Sequence, residues 1–171
     1  MPRGTRNLQI NRQQKHILLL ALFLLKHAQG KVRPLKRQVI SFIDIKNLIL
    51  IREEDRRTVA TGEEAWENSI AWRRADLVAE GCLTMPARGE WQITAAGERR
   101  VIDWCAIMHY FTTLKPDWQK HLSALETIFE EKVVITEQTI LAAVAAFDIA
   151  KKLFADDLPE VPADVRGRIR L

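Results

Sequence analysis

The sequence is poor in residues that crosslink a chain or bind metals. Its 171 residues include two cysteines, Cys82 and Cys105, and neither belongs to a Cys-x-x-Cys pair. This excludes a disulfide scaffold and predicts reduced, intracellular thiols. The four histidines lack the spacing of a zinc or two-metal site, and they are His16, His27, His109 and His121. We therefore expect no metal and no cofactor.

Long hydrophobic runs are also missing. The longest, Ile17 to Leu25, has nine apolar residues and ends at Lys26, whereas a membrane-spanning helix needs about 20. Upstream arginines and Ala28-Gln29-Gly30 give the run some likeness to a signal peptide. We expect it instead to be retained as a buried helix of a soluble, cytoplasmic protein that does not contact a membrane.

Charge is unevenly distributed along the chain. Residues 1–60 contain 13 Lys/Arg and 4 Asp/Glu, whereas residues 61–171 contain 13 and 18, for a net charge of +4. A basic N-terminal part is typical of a protein with a polyanionic partner, although a solvated helix face has the same composition.

The first 60 residues predict two helices. Asn11 is a candidate N-cap for a helix over 12–28, and Gly30 is suited to the left-handed position after its end. Pro34 can start the second helix. Residues 47–51 either extend that helix or form a short strand.

A third helix is predicted after the polar, aperiodic connection 52–62. Thr61 and Glu64 match a capping box, so we expect the helix to run from Gly62 to Glu80 and to stop at Gly81. Trp66, Ile70 and Leu77 fall on one stripe, which predicts the core face. The far face, flanked by Arg73 and Arg74, carries Asn68, Trp72, Ala75 and Ala79.

Two short β-favouring runs, 83–85 and 91–93, are joined by Pro86 to Gly89, which predicts a hairpin with Arg88 at its tip. Thr94 then caps a fourth helix over 95–114. This helix is apolar almost all round. It must be covered by the first helix, by C-terminal helices or by a second subunit.

The C-terminal third predicts two more helices and a tail. Trp118 to Phe129 has an apolar stripe at helical spacing, and an alanine-rich helix from Glu137 to Phe154 permits close helix contact. The segment from Leu158 should be loosely held, with three arginines available to anions. These are Arg166, Arg168 and Arg170.

The order helix, helix, linker, helix, hairpin, helix is that of a winged helix-turn-helix domain. The predicted fold class is therefore mainly α with a small β-hairpin, a winged helix-turn-helix plus C-terminal helices. We divide the chain into a DNA-binding domain (1–114), a helical extension for dimerisation (115–156) and a basic tail (157–171).

Trp66 to Glu98 carries a more specific pattern. Its aromatic-Glu-Asn start, central Trp72, helix-ending Gly81, Arg88-Gly89-Glu90-Trp91 and Thr94-Ala95-Ala96-Gly97 resemble the N-terminal winged-helix domain of Mrr-type restriction proteins. The resemblance implies that the third helix enters a DNA groove and that the hairpin lies along the backbone.

Under that resemblance each candidate DNA-binding residue has a role. The Asn68 amide can make a bidentate contact to adenine, and Ser69 can bind a phosphate or a base edge. The arginines contact phosphates or insert from the wing into the minor groove. The full set is Arg56, Arg57, Asn68, Ser69, Trp72, Arg73, Arg74 and Arg88.

Structural interpretations compete at some of these positions. Trp72 is better explained by packing against the hairpin than by a DNA contact, and Trp91 fits the core beneath the wing. Arg74 can pair with Glu67 or Asp76.

Because Mrr-type proteins carry a nuclease domain, its PD…(D/E)xK metal site is a further candidate. Pro116-Asp117 and Glu130-Glu131-Lys132 match in letters, but that site needs adjacent strands and the intervening residues are helix-periodic. Asp117 as a helix N-cap explains the same residues. We expect the protein not to be an enzyme. A metal-dependent nuclease that uses Asp117 is a third, less favoured class of function.

The leading hypothesis is a homodimeric protein that binds double-stranded DNA, either a transcriptional regulator or a DNA-recognising component of a prokaryotic, antiviral defence or restriction system with its own protein partner. The competing class is an adaptor whose winged helix docks on protein.

Overall fold

The computed structural model describes residues 3–129 and 133–169, with side chains from residue 12 onward. The described chain is mainly helical with one small hairpin, which confirms the predicted fold class at that level. The helices are α1 (Arg3–Gln29), α2 (Lys36–Ile45), α3 (Ala65–Ala79), α4 (Ala95–Leu114), α5 (Ala124–Phe129), α6 (Glu137–Leu153) and α7 (Ala163–Ile169). Strands β1 (Leu83–Thr84) and β2 (Gln92–Ile93) pair antiparallel, and short 3-10 helices cover Glu53–Arg56 and Trp118–His121.

Helix α1 is the centre of the fold. Every residue from Ile17 to Leu25 is buried, and α2, α3, α4, α6 and β2 all pack against this helix. An apolar sequence on all sides of a helix is stable in water only when it is surrounded in this way. Over the described residues, no helix is both long enough and apolar enough to cross a bilayer.

The predicted start of α1 is wrong. The helix begins at Arg3 rather than after Asn11, so Asn11 lies in its interior. No proline interrupts the chain between positions 2 and 34, and Arg, Leu and Gln have good helix propensity. The polar segment therefore continues the helix upstream of the apolar run. Gly30, with φ of 69°, ends the helix as predicted.

The linker between α2 and α3 also differs from the prediction. Residues 47–51 form neither helix nor named strand, because Asn47 has φ of 52° and the Leu50 N–H donates to Val134 O at 2.9 Å. The capping box at Thr61 is wrong as well. An isolated bridge between Thr58 and Glu64 folds the linker back on itself, and α3 starts only at Ala65.

The hairpin, which we call the wing (residues 83–93), is anchored at its base by Thr94. The Thr94 hydroxyl donates to Gly81 O at 2.7 Å and accepts from the Gly97 N–H at 3.1 Å, as an N-cap does. One side chain thus joins the residue after α3 to the start of α4. Trp91, 2% exposed, fills the core beneath the wing as predicted.

Helix α4 is covered by its own chain. It packs chiefly on α6 and also on α1, and the buried small residues Ala143, Ala146 and Ala150 allow the close approach that the alanine-rich sequence predicts. A second subunit is therefore not needed to bury α4.

The C-terminal predictions are partly wrong. The helix expected over 118–129 is broken into a 3-10 turn and α5. Asp117 makes no capping hydrogen bond; its carboxylate accepts from His121 Nε2 at 3.1 Å instead.

The segment from Leu158 is not loosely held. It forms α7, which packs on α5. Ile169 is fully buried, Arg168 donates to Ile128 O at 3.2 Å, and the Arg166 guanidinium lies 5.6 Å from the Tyr110 ring centre. The burial of Ile169 and the contacts of the two arginines order this segment, and the composition alone did not predict that order. Glu130 to Lys132 and Arg170 lie outside the described residues.

Gly97 offers a test of the contact between α4 and the wing. A Cβ there would lie 2.2 Å from Cys82 O and 2.9 Å from Ile93 Cγ1, so Gly97→Ala should lower the free energy of unfolding by about 1–3 kcal/mol. Gly167 in α7 is the matched control, because a Cβ there meets nothing within 4 Å. Gly167→Ala should be stabilising by up to about 1 kcal/mol. Urea unfolding of both variants checks the signs, and a stabilised Gly97→Ala would contradict this packing.

His16 predicts a pH-dependent stability. Its ring stacks on Trp104 with centroids 5.4 Å apart, and burial, helped by the positive charge of Arg100, lowers its pKa from 6.5 to about 3. Below pH 6.5 His16 is protonated in the unfolded chain but stays neutral in the folded chain. The free energy of unfolding therefore decreases as the pH is lowered. By pH 5 the loss should reach about 2 kcal/mol. Urea unfolding at pH 7 and pH 5 should show a smaller loss for His16→Phe; an identical loss would contradict the assignment.

Candidate nucleic-acid interface

Helix α3 presents one face to solvent beside the wing. Trp66, Ile70 and Leu77 are buried as predicted, while Asn68 is partly exposed. Trp72 is 62% exposed. The interpretation of Trp72 as packing against the hairpin is therefore wrong, because its ring points away from the core stripe.

Two predicted contact residues are engaged within the fold. The Ser69 hydroxyl donates to Gln14 Oε1 on α1 at 2.7 Å. Arg73 has a side chain only 13% exposed, with Nε 3.3 Å from Asp76 Oδ2. Both side chains lie on the flank of α3 that turns toward α1, so neither projects from its outward face.

The remaining arginine of α3 connects the helix to the wing. Arg74 Nη1 lies 2.9 Å from Met85 Sδ, just after β1. The predicted pairing of Arg74 with Glu67 or Asp76 is wrong, since Asp76 pairs with Arg73. Arg88 lies exposed on the turn, next to Gly89 with its positive φ of 79°, so the turn does place its cation at the wing tip.

Sequence reasoning missed a group of cations beside that tip. The Trp91 N–H donates to Pro34 O at 2.9 Å, and an isolated bridge pairs Leu35 with Glu90. These contacts bring Pro34 and Leu35 against the wing. Exposed cations stand within three residues of this contact along the chain, and together with Arg88 we call them the wing-side basic patch: Lys31, Arg33, Arg37 and Arg88. The signal in the sequence was the basic N-terminal part, but only the backbone contacts show which of its cations flank the segment that meets the wing.

A cleft lies on the other side of α3, between that helix, α1 and the linker. It has a volume of about 400 Å³ and brings together five of the eight predicted residues, namely Arg57, Asn68, Ser69, Trp72 and Arg73, with Gln14, Arg52 and Asp55 among the others. Arg56 does not join it. Its guanidinium lies 3.3 Å from Glu64 and 3.7 Å from Asp44, which neutralises charge at the start of α3.

The residues that match the nuclease motif form no metal site within the described part of the chain. His121 holds the pKa of the Asp117 carboxyl below its usual value through their hydrogen bond, and Glu130 to Lys132 lie outside the described residues. Where the structure is described, no three His, Cys, Asp or Glu side chains converge as metal ligands do.

Fold and surface together define a mainly helical domain with a two-stranded hairpin, Arg88 at its tip, beside a partly exposed helix. A family model described as the Mrr N-terminal domain matches residues 17–102. The chain belongs to this family, which confirms the resemblance in Trp66 to Glu98. The match ends within α4, and it is to the N-terminal domain of Mrr, not to its nuclease domain. Comparison with curated proteins and with solved structures finds no match.

Ser69 allows its structural role to be separated from a DNA contact. Ser69→Ala removes the donor to Gln14, which is 6% exposed, and an unsatisfied buried amide costs about 1–3 kcal/mol. Urea unfolding should detect this loss, whereas the adjacent Asn68→Ala, on a partly exposed side chain, should change stability by less than about 0.5 kcal/mol. Equal stability of the two variants would show that the Gln14 bond contributes little.

Proposed function

We propose that this chain is a winged-helix protein that binds double-stranded DNA, either as a homodimeric transcriptional regulator or as a DNA-recognising component of a prokaryotic defence or restriction system. The observation that carries the proposal is the contact of Pro34 and Leu35 with the wing. Three exposed cations flank these two residues along the chain, on the segment that meets the hairpin bearing Arg88. Membership of the Mrr N-terminal domain family supports the same role.

In this proposal α3 lies in the major groove and the wing follows the backbone. Asn68 is the residue of α3 suited to base reading, because its amide can bond both N6 and N7 of adenine. The wing-side basic patch supplies phosphate contacts, which give affinity without sequence preference. Arg74 acts indirectly, since its contact with Met85 fixes the wing relative to α3.

The proposed protein recognises DNA and does not cleave it, since its family match is to the N-terminal domain of Mrr and not to the nuclease domain. We place this function in the cytoplasm. Two copies would present two α3 helices to half-sites one helical turn apart. Since α4 is covered within the chain, the dimer surface has to be sought elsewhere. Exposed apolar side chains of α6, Leu141 at 51% and Leu153 at 50%, are the first candidates.

One observation favours the adaptor alternative. The middle of the outward face of α3 carries Ala71, Ala75 and the 40% exposed Val78 rather than cations. Exposed Trp72 is the kind of side chain that anchors protein interfaces. A protein partner would bind this face with little dependence on salt.

Fluorescence anisotropy of labelled duplexes at about 50 and about 200 mM salt separates the two functions. Arg88→Ala should weaken binding to every duplex and reduce the slope of log K against log salt by about one phosphate's worth. Lys120→Ala is the matched control. Lys120 is exposed and lies beyond the far end of α4, a helix that spans about 30 Å, so its loss should leave both affinity and slope unchanged.

An upstream duplex from the protein's own gene and a scrambled duplex add the test of specificity. Preference for the upstream duplex identifies a regulator, and equal binding identifies a general DNA-recognising component. Binding to neither duplex, or an unchanged affinity for Arg88→Ala, would refute the proposed use of the wing and favour the adaptor.

A further inference from the structure

The cleft beside α3 is lined by more positive than negative side chains. Arg52, Arg57 and Arg73 line it, and Asp55 is the one carboxylate among its lining residues, while Asp76, outside that lining, pairs with Arg73. The Asp55 carboxylate accepts a hydrogen bond from the backbone N–H of Arg52 at 2.9 Å, so its negative charge is partly compensated within the linker. Within the described part of the chain, neither Arg52 nor Arg57 forms an ion pair through its guanidinium. An anion is therefore the ligand that this cleft is suited to bind.

Arg73 adds a specific feature to that charge. Its Nε is buried and makes no hydrogen bond to any described residue, although Asp76 Oδ2 lies 3.3 Å away. A buried N–H of this kind calls for a partner. A ligand oxygen in the cleft would supply one.

Trp72 stands at the same cleft with most of its ring in solvent. It is 62% exposed, whereas the other tryptophans are 7% exposed or less. A solvated indole is a platform on which a planar heterocycle stacks without regard to base identity. The Asn68 amide, which also lines the cleft, offers both a donor and an acceptor to the edge of such a ring.

We propose that this cleft binds a free nucleotide, with its base stacked on Trp72 and its phosphate held by Arg57, Arg52 and Arg73. The volume of about 400 Å³ is within the range of small-ligand sites. The backbone of a duplex presents its phosphates on a convex surface. Arg73, with a side chain 13% exposed, is recessed from such a surface but within reach of a small ligand inside the cleft.

The proposed nucleotide site stands independently of the proposed DNA binding. A coupling between the two ligands, however, rests on the proposed DNA function. Asn68 and Trp72 belong to the cleft and also to the face of α3 that would read DNA. One set of side chains cannot serve both ligands at once. Bound nucleotide should therefore lower the affinity for duplex DNA, and the reverse should hold to the same extent.

Isothermal titration with AMP, GMP, CMP and UMP tests the site directly on the full chain. At least one should bind with a Kd below about 1 mM, an affinity that corresponds to a weak but specific ligand. Adenosine alone and inorganic phosphate alone should bind at least about tenfold more weakly, because each lacks half of the contacts. Binding should also protect the fluorescence of Trp72 from iodide. No binding of any nucleotide at about 1 mM would overturn the proposal.

Three variants locate the binding. Arg57→Gln and Trp72→Ala should each raise the Kd about tenfold or more, whereas Trp72→Phe should keep most of the affinity because it keeps a ring. Arg37→Gln is the matched control, since Arg37 is equally exposed but belongs to the wing-side basic patch. A Kd that none of the cleft variants changes would place the ligand elsewhere and overturn the assignment.

A final arm separates a free nucleotide from one at the end of a nucleic acid. A duplex with a 5′-phosphorylated single-stranded overhang is titrated beside the free nucleotides. If only the overhang binds, and binds through Trp72, the free-nucleotide assignment is wrong. If a nucleotide binds but no duplex does, the cleft assignment stands and the proposed DNA function fails.

Discussion

Burial of the apolar run from Ile17 to Leu25 is the constraint on which the rest of the structure depends. Nine consecutive apolar side chains leave α1 no face for solvent, and burying each large one is worth about 1.5–3 kcal/mol. Helices α2, α3, α4 and α6 and strand β2 accordingly surround it. Contacts such as that of Ser69 with Gln14 hold α3, and with it the candidate interface, against α1.

A second constraint links the wing to the helices on either side. Gly81 ends α3 with a positive φ, Thr94 bonds both Gly81 and Gly97, and the missing side chain of Gly97 lets α4 approach Cys82 O. The helix end, the hairpin base and the next helix start are therefore one unit. This explains physically why the family pattern pairs a helix-ending glycine with Thr-x-x-Gly. Both position the turn that carries Arg88.

Local features were predictable from the sequence and non-local ones were not. Helical spacing identified the core stripe of Trp66, Ile70 and Leu77, and turn residues identified the hairpin, because both depend on neighbours along the chain. The linker was unpredictable since Leu50 bonds Val134, far along the chain. The same holds for the site. Asn68 lies partly exposed on α3 and Arg88 exposed on the turn, but the segment bearing Lys31, Arg33 and Arg37 meets the wing through non-local contacts, Trp91 with Pro34 and Leu35 with Glu90.

The acidic start of α3 raises an electrostatic problem for any polyanion approaching this helix. Glu63 and Glu64 would repel phosphates, yet each is paired within the fold, Glu63 with Lys36 and Glu64 with Arg56. Lys36 and Arg56 stay partly exposed, but their charges offset these two carboxylates. Among the described residues near α3, cations without an ion pair then stand on both sides of the helix, with Arg88 on the wing and Arg52 and Arg57 at the cleft. In the two proposals, the phosphates of a duplex and of a small ligand would therefore bind on opposite sides of one helix, with Asn68 and Trp72 between them.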